Sequence, residues 1–551
     1  MPFKTCLTRF LIERLPKNII ILFASTRHLG CRLPVYKTIF QLNLEIKPVT
    51  QAHSSRKNWF HQNGYIIFPL LAFAIPLIVR AIPEVLMGQY LVGFDTIGYY
   101  VPNTLTWLGN GVSFWGLISS APLMYILLMG ITSTGVPILF TLKITGTLLV
   151  GLLGFTTYLY ANKGLSWSSK KSLTVAILST LYFISLRISW DMFRSELALI
   201  FLFIALTILQ RNGKSVRNGL LLSLTMALVV FSHQLVAIIM FAIIIASIAS
   251  FTLKKKKAEL RRIIVFSIPA ALLLLLVFYL NYFGFSSPVM GYSGNIAGGF
   301  ETLATASHTQ LVIDTLGFLA FCYLPLVPFL IFAIKKVKSN LHFNAWILWA
   351  FIPILLLLIN PSTLFLGGVL PFRWILLLTY PLSFYAVEGL FAIKRSWYKL
   401  VYKIAVCALI AVLSVSFIVL PNSGAISYFG GYPTYVPKSM LQNTMQLSDC
   451  QDTANAILWT KNNMPSNGHL LVHEAFYGWA ELKLDNNRII YYGFGNPEDA
   501  ARQSQENNSS NPLYLIWWVN GTGWYGQPTV PASFKELYHS GNIAIYQYSG
   551  Y

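Results

Sequence analysis

Charge is the scarcest thing in this 551-residue chain: 11% of its residues are charged and only 19 are acidic, against 40 lysines and arginines. A soluble globular chain carries roughly 25% charged residues, so an ordinary soluble enzyme is excluded. Cysteine is scarce too. The five (Cys6, Cys31, Cys322, Cys407 and Cys450) are scattered, which excludes a disulfide framework and the paired spacing of a zinc site. No phosphate-binding loop, HExxH, GxSxG or CxxC occurs. The first 60 residues lack a span-length apolar run and a small-residue cleavage site, so no signal peptide is expected there. No tandem repeat of solenoid period is present.

What is abundant is apolar sequence, 55% of the chain. Runs long enough to cross a bilayer recur, so a polytopic α-helical membrane protein is expected. Residues 1–62 form a basic segment, with ten Lys and Arg against Glu13 and Glu45 over the first sixty. That segment fixes the start of the first span, about 65–82, on the cytoplasmic side of the plasma membrane. The run 117–131 is short for a span and reads as re-entrant or interfacial. Residues 83–135 therefore become one long outer loop.

Ten further spans are expected at about 136–160, 172–187, 196–210, 219–233, 235–252, 263–283, 311–334, 345–360, 374–392 and 404–420. Every second loop is basic, as at Lys254–Lys257 or Lys335, Lys336 and Lys338, and the loops between carry almost no lysine. These runs are topology determinants and no nucleic-acid partner is expected. The transmembrane module spans 63–421. Residues 422–551 change character. They are acidic, six Lys and Arg against nine Asp and Glu, and read as an extracytoplasmic α/β domain. A helix is expected at 452–462 and another at DAARQSQ, with strands at LLVHE, RIIYYG, LYLIWWV and NIAIYQYS in a mixed sheet. Asn507, Asn508 and Asn520 head N-x-S/T sequons.

Charges within or beside a bilayer are costly, so the few present are the best pointers to function. Most acids of the module fall at its outer end, with Arg80, Lys143, Arg187, Arg194, Arg373 and His233. The central stretch is Glu84 to Asn103, EVLMGQYLVGFDTIGYYVPN. Asp95, beside Tyr99 and Tyr100, is the candidate general base, its proton affinity raised by partial desolvation. It can also cap a short helix at 96–101. Glu84 is a second candidate acid, or pairs with Arg80 one turn away. Asp191 and Arg194 can pair at i, i+3, or bind a sugar hydroxyl and a phosphate. His233 and Gln234 cap a span or contact the sugar. Arg373, in LPFRW, is a phosphate ligand or snorkels to headgroups, and the same two readings hold for Lys143. A lone Asp without a second carboxylate is a poor divalent-metal site, so no cofactor is assigned and a divalent metal, with Glu84 as its further ligand, is an alternative that is not favoured.

The plan of one span, a long loop bearing GFDTIGYY, a short apolar segment, many spans and an outer α/β domain resembles the GT-C integral membrane glycosyltransferases. LPFRW followed by ILLLTYPLSFY resembles their late arginine segment. The resemblance implies a polyprenyl-phosphate- or polyprenyl-diphosphate-linked sugar donor and an extracytoplasmic acceptor (glycan, lipid or protein). It also implies Asp95 as the catalytic base and Arg373 on the donor phosphate. Members with paired acids in the first loop differ, and Trp517-Trp518 is followed by Val519, not by the Asp of an oligosaccharyltransferase WWD motif. The alternatives are a lipid or solute transporter or flippase, and a non-catalytic envelope-assembly protein.

Overall fold

The computed structural model describes residues 50–91, 96–211, 215–283, 308–337, 340–359, 371–393, 397–419, 449–493, 495–507, 511–519 and 530–550. Asp95 lies outside them, as do residues 1–49 and sequon residues Asn508 and Asn520; the side chains of Asp191 and Asn507 are likewise not described. The chain divides into residues 1–61 and 62–551. The first unit contributes only the helical residues 50–61; the bundle and the C-terminal domain belong to the second.

The chain is a polytopic α-helical membrane protein with a C-terminal α/β domain. Eight of its described helices are long and apolar enough to cross a bilayer, or nine if one bent pair counts as a single span. The chain enters through α1 (Thr50–Leu86), whose apolar part is Tyr65–Leu86. A wide π-helical turn at Thr96–Tyr100 runs straight into α2 (Val101–Asn110), so the short helix expected at 96–101 continues to 110. The run 117–131 is covered by α3 (Phe114–Ser119) and α4 (Leu123–Thr132). Ala121, at φ 51°, breaks it. Ten residues of helix reach only about 15 Å, half a hydrocarbon core.

The bundle continues with α5 (Ile138–Leu159), α6 (Ser169–Leu181), α7 (Phe183–Asp191) and α8 (Phe193–Gln210). Then come α9 (Val216–Ser232), α10 (Gln234–Leu253), α11 (Lys257–Tyr282), α12 (His308–Tyr323), α13 (Val327–Val337) and α14 (Leu341–Ile359). It closes with α15 (Pro371–Leu377), α16 (Thr379–Ala392) and α17 (Trp397–Val419). The span expected at 172–187 is broken: α6 and α7 meet at 56° across Tyr182, whose backbone is extended and whose hydroxyl donates to the Cys322 carbonyl at 2.5 Å.

Glycine sets the closest helix contacts, as suits apolar solvent where packing replaces the hydrophobic drive. Pro76 has no N–H to give the carbonyl of Ala72. Gly154 of α5 lies against that carbonyl, so closely that a Cβ would stand 2.2 Å from it. Gly389 of α16 meets the Phe329 carbonyl of α13 in the same way.

The C-terminal domain begins with α18 (Cys450–Asn463). A five-stranded sheet follows, in the order β2-β1-β3-β5-β4. Its strands are β1 (His469–His473), β2 (Ile489–Gly493), β3 (Leu513–Trp518), β4 (Phe534–Ser540) and β5 (Ile543–Tyr548). β1 pairs in parallel with β2 and β3; β5 runs antiparallel to β3 and β4. The sheet is therefore mixed. Two helices lie between its strands, α19 (Glu474–Glu481) and α20 (Pro497–Asn507). All four expected strands are present; β4 is additional.

Candidate active site

The candidate residues fall into two groups. The first is a buried triad of charges between α1, α5 and α7. Arg80 pairs with Glu84 at 2.8 Å, one turn on, and Lys143 reaches the same carboxylate at 3.3 Å. The Lys143 ammonium also donates to the Glu84 carbonyl at 2.7 Å. Arg80 donates through Nε to the Ser189 carbonyl at 3.2 Å and lies over the Trp190 ring. Glu84 is thus held by two cations, and Lys143 is directed at Glu84.

The second group surrounds Arg194, at the start of α8. The Arg194 backbone N–H donates to the Tyr100 hydroxyl at 3.2 Å, and Nη1 donates to the Tyr99 hydroxyl at 3.3 Å. Nη2 donates to the carbonyl of Ser120, in the turn between α3 and α4. The guanidinium lies 5.7 Å from the centre of the Tyr125 ring. Tyr100 stacks on Phe193 at 5.4 Å, and Tyr125 packs on Trp107 at 4.7 Å. The turn that directly follows Asp95 is therefore fixed to the head of a span by two phenols and one guanidinium.

Gln234 and Asn281 add to this end of the bundle. Both donate to the Ser119 carbonyl, at 3.0 and 3.1 Å, one from the start of α10 and one from the end of α11. His233, next to Gln234, is in extended conformation between α9 and α10. Arg194 and Arg373 both act electrostatically on its ring. So Arg373, on the short helix α15, is brought to the same end as Arg194 despite a separation of 179 positions in sequence.

Three groups here remain uncommitted. Nε of Arg194 and Nδ1 of His233 are buried without a hydrogen-bond partner. Arg373 has no hydrogen-bond or ion-pair partner among the described residues. Two guanidiniums beside one imidazole, with donors unpaired, form a receptor for an anion with several oxygens. Nothing in the described residues gathers three His, Cys, Asp or Glu as for a metal.

Of the expected residues, Tyr99, Tyr100, Arg194, His233, Gln234 and Arg373 are brought together. Glu84 and Lys143 pair with each other and with Arg80, and Arg80 and Phe193 both lie against Gly146. Tyr125, Ser119, Ser120 and Asn281 were not singled out from sequence. Asn281 carried a signal, a lone amide at the end of an apolar run. The two serines carried none, because their backbone carbonyls, not their side chains, take part.

No family model matches the sequence, and no curated protein does. Among solved structures, ArnT from Cupriavidus metallidurans, crystallised with undecaprenyl phosphate, is similar in fold. Its TM-score is 0.50 at 12% identity, covering 88% of this chain and 98% of that one. The likeness is one of fold alone.

Proposed function

We propose that this chain is a membrane glycosyltransferase that takes a sugar from a polyprenyl-phosphate or polyprenyl-diphosphate donor. The acceptor is an extracytoplasmic glycan, lipid or protein. Asp95 is the general base, and Arg373 and Arg194 receive the donor phosphate. Tyr99, Tyr100, His233, Gln234 and Asp191 bind the sugar. The N-terminus is cytoplasmic and residues 422–551 are outside the cell membrane.

One observation carries this reading. Arg194 and Arg373 converge on His233 with hydrogen-bonding capacity unused, and Arg194 is bonded to both tyrosines of the turn that begins one residue after Asp95. The fold likeness to a protein solved with undecaprenyl phosphate agrees with an anionic lipid at such a site.

The chemistry follows from those groups. The acceptor hydroxyl gives its proton to the Asp95 carboxylate as its oxygen attacks the anomeric carbon. The bond from that carbon to the phosphate oxygen breaks, and the electron pair leaves with the lipid phosphate. Fixed guanidiniums stabilise the charge that develops there, more effectively than water because they need not reorganise. A single displacement inverts the anomeric centre. No nucleotide enters, in keeping with the lack of a nucleotide-binding loop.

The test is sugar transfer by purified protein in lipid nanodiscs, with polyprenyl-phosphate binding measured separately. Asp95→Asn should lower turnover by about 10²–10⁴ and leave lipid binding intact, since only proton acceptance is lost. Arg373→Ala should weaken both, and Arg373→Lys should restore part, lacking the planar fork. Near-normal turnover in Asp95→Asn removes Asp95 as base. Unchanged lipid affinity in Arg373→Ala removes the phosphate role.

A further inference from the structure

Arg194 is clamped from two sides. On one side the Ser120 carbonyl accepts from Nη2, and Gln234 and Asn281 fix the neighbouring Ser119 carbonyl at 3.0 and 3.1 Å. On the other, the Tyr99 hydroxyl accepts from Nη1 at 3.3 Å and the Tyr100 hydroxyl from the backbone N–H at 3.2 Å. Both terminal nitrogens are thereby held. The donor left over is Nε, buried without a partner. Its aim depends on where the two phenols stand, and both stand on the turn Thr96–Tyr100.

That turn is held in place by the C-terminal domain. Helix α19 follows β1 without a linker. His473 ends the strand and caps the helix, its Nδ1 accepting from the Ala475 N–H at 3.2 Å. The sheet therefore fixes where α19 starts. Midway along it, a Cβ on Gly478 would stand 2.3 Å from the Ile97 carbonyl oxygen and 2.6 Å from Gly98 Cα. These are backbone atoms of the turn, so no side-chain rotation relieves the overlap. Gly98 directly precedes Tyr99. Trp479, next along α19, sets its ring 5.6 Å from that of Tyr90, which steadies the helix against the outer end of the bundle.

We propose that the C-terminal domain sets the affinity for the lipid phosphate, with Gly478 as the positioning residue. α19 bears on the turn, the turn carries both phenols, and the phenols hold the guanidinium. This rests on Arg194 receiving the donor phosphate. The coupling is reciprocal: what the seating of α19 adds to lipid affinity, bound lipid adds to the seating of α19.

The test is equilibrium binding of undecaprenyl phosphate to the full-length protein in nanodiscs of neutral lipid. No bond breaks, so a general base does not enter the readout. Gly478→Ala should weaken binding about five- to fiftyfold. Ile545→Ala opens a cavity in β5, two strands from β1. At an equal loss of domain stability its lipid affinity should stay within about twofold of wild type. A double-mutant cycle locates the path. With Tyr99→Phe and Tyr100→Phe together, Gly478→Ala should have no further effect, because the turn no longer reaches Arg194. With Arg373→Ala it should keep its full effect, because Arg373 is not in the clamp. In the wild type, undecaprenyl phosphate should slow backbone hydrogen exchange at residues 474–481, and the paired Phe variant should abolish that protection. This readout needs no change in α19 and decides the matter if Gly478→Ala does not fold. Wild-type affinity in Gly478→Ala, an equal loss in Ile545→Ala, additive losses with the Phe pair, or exchange that lipid leaves unaltered overturns the proposal. Arg194→Gln should itself weaken binding about ten- to a hundredfold. If it binds as wild type, the phosphate role of Arg194 is wrong and the clamp has nothing to set. If it binds weakly while Gly478→Ala binds as wild type, the phosphate role stands and the positioning role alone fails.

Discussion

Replacing Glu84 by Gln keeps the side chain's size and one acceptor oxygen but removes its charge. The consequence is set by its surroundings. The Arg80 side chain is 0% exposed, Glu84 5% and Lys143 13%, and both cations converge on this one carboxylate. Without it, two buried cations face each other with no counterion. Breaking a buried pair by removing one partner costs about 3–5 kcal/mol, because the remaining charge is left without water or partner. At about 1 °C per kcal/mol for a chain of this size, the unfolding midpoint should fall by roughly 3–5 °C. Lys143→Met should do far less, since Arg80 and Glu84 then form a neutral pair. The double variant should recover part of the loss, which isolates the coupling. The assay is thermal unfolding in detergent, with lipid binding measured on the same samples. If Glu84→Gln keeps its midpoint and loses substrate binding, the triad is not structural and Glu84 belongs to the substrate site.

Two other variants test the packing and the C-terminal domain. Both oxygens of Glu481, at the end of α19, are buried. Burial pushes its carboxyl from 4.5 up to about 7, the Tyr477 hydroxyl one turn back opposing part of the rise. An acid whose folded value is raised stays protonated in the native state while the unfolded chain ionises. Stability should therefore fall as pH rises from about 4.5 to about 7 and level off above, by up to about 3 kcal/mol. Glu481→Gln should flatten that dependence in a proteolysis titration of the domain; an unchanged slope refutes the assignment. Gly389→Ala would place a Cβ 1.8 Å from the Phe329 carbonyl oxygen. It should push α16 from α13 and destabilise the bundle by about 1–3 kcal/mol, read as a lower unfolding midpoint.

Much of the fold was legible because the physics behind it is local. Apolar runs and the alternation of basic loops follow from the bilayer alone, and the described helices lie at the expected positions. Two of the expected spans, 219–233 and 345–360, fall on the shorter apolar helices Val216–Ser232 and Leu341–Leu356. The break at Tyr182 was not legible, since it depends on a carbonyl 140 residues away. β4 was missed because an edge strand with charged, exposed positions lacks an apolar signature. α19 was missed because eight residues around a glycine carry little helix propensity. Its reason lies in what it touches.

The site divides the same way. Scarcity made each charge conspicuous, so Arg194, His233 and Arg373 could be named from sequence. Which charges neutralise one another could not be read. Lys143 meets Glu84 across 59 residues only because glycines let α5 lie close to α1. Sequence offered Lys143 two fates, lipid headgroup or phosphate; helix packing adds a third.

The turn between α3 and α4 has a consequence for kinship. Its two captured groups are the carbonyls of Ser119 and Ser120, reached by Gln234, Asn281 and Arg194. Every amino acid brings such a carbonyl. The two serines can therefore drift to other residues while the anchor persists, and only the three reaching side chains are under chemical constraint. An architecture tied together through its main chain can outlive most of its spelling.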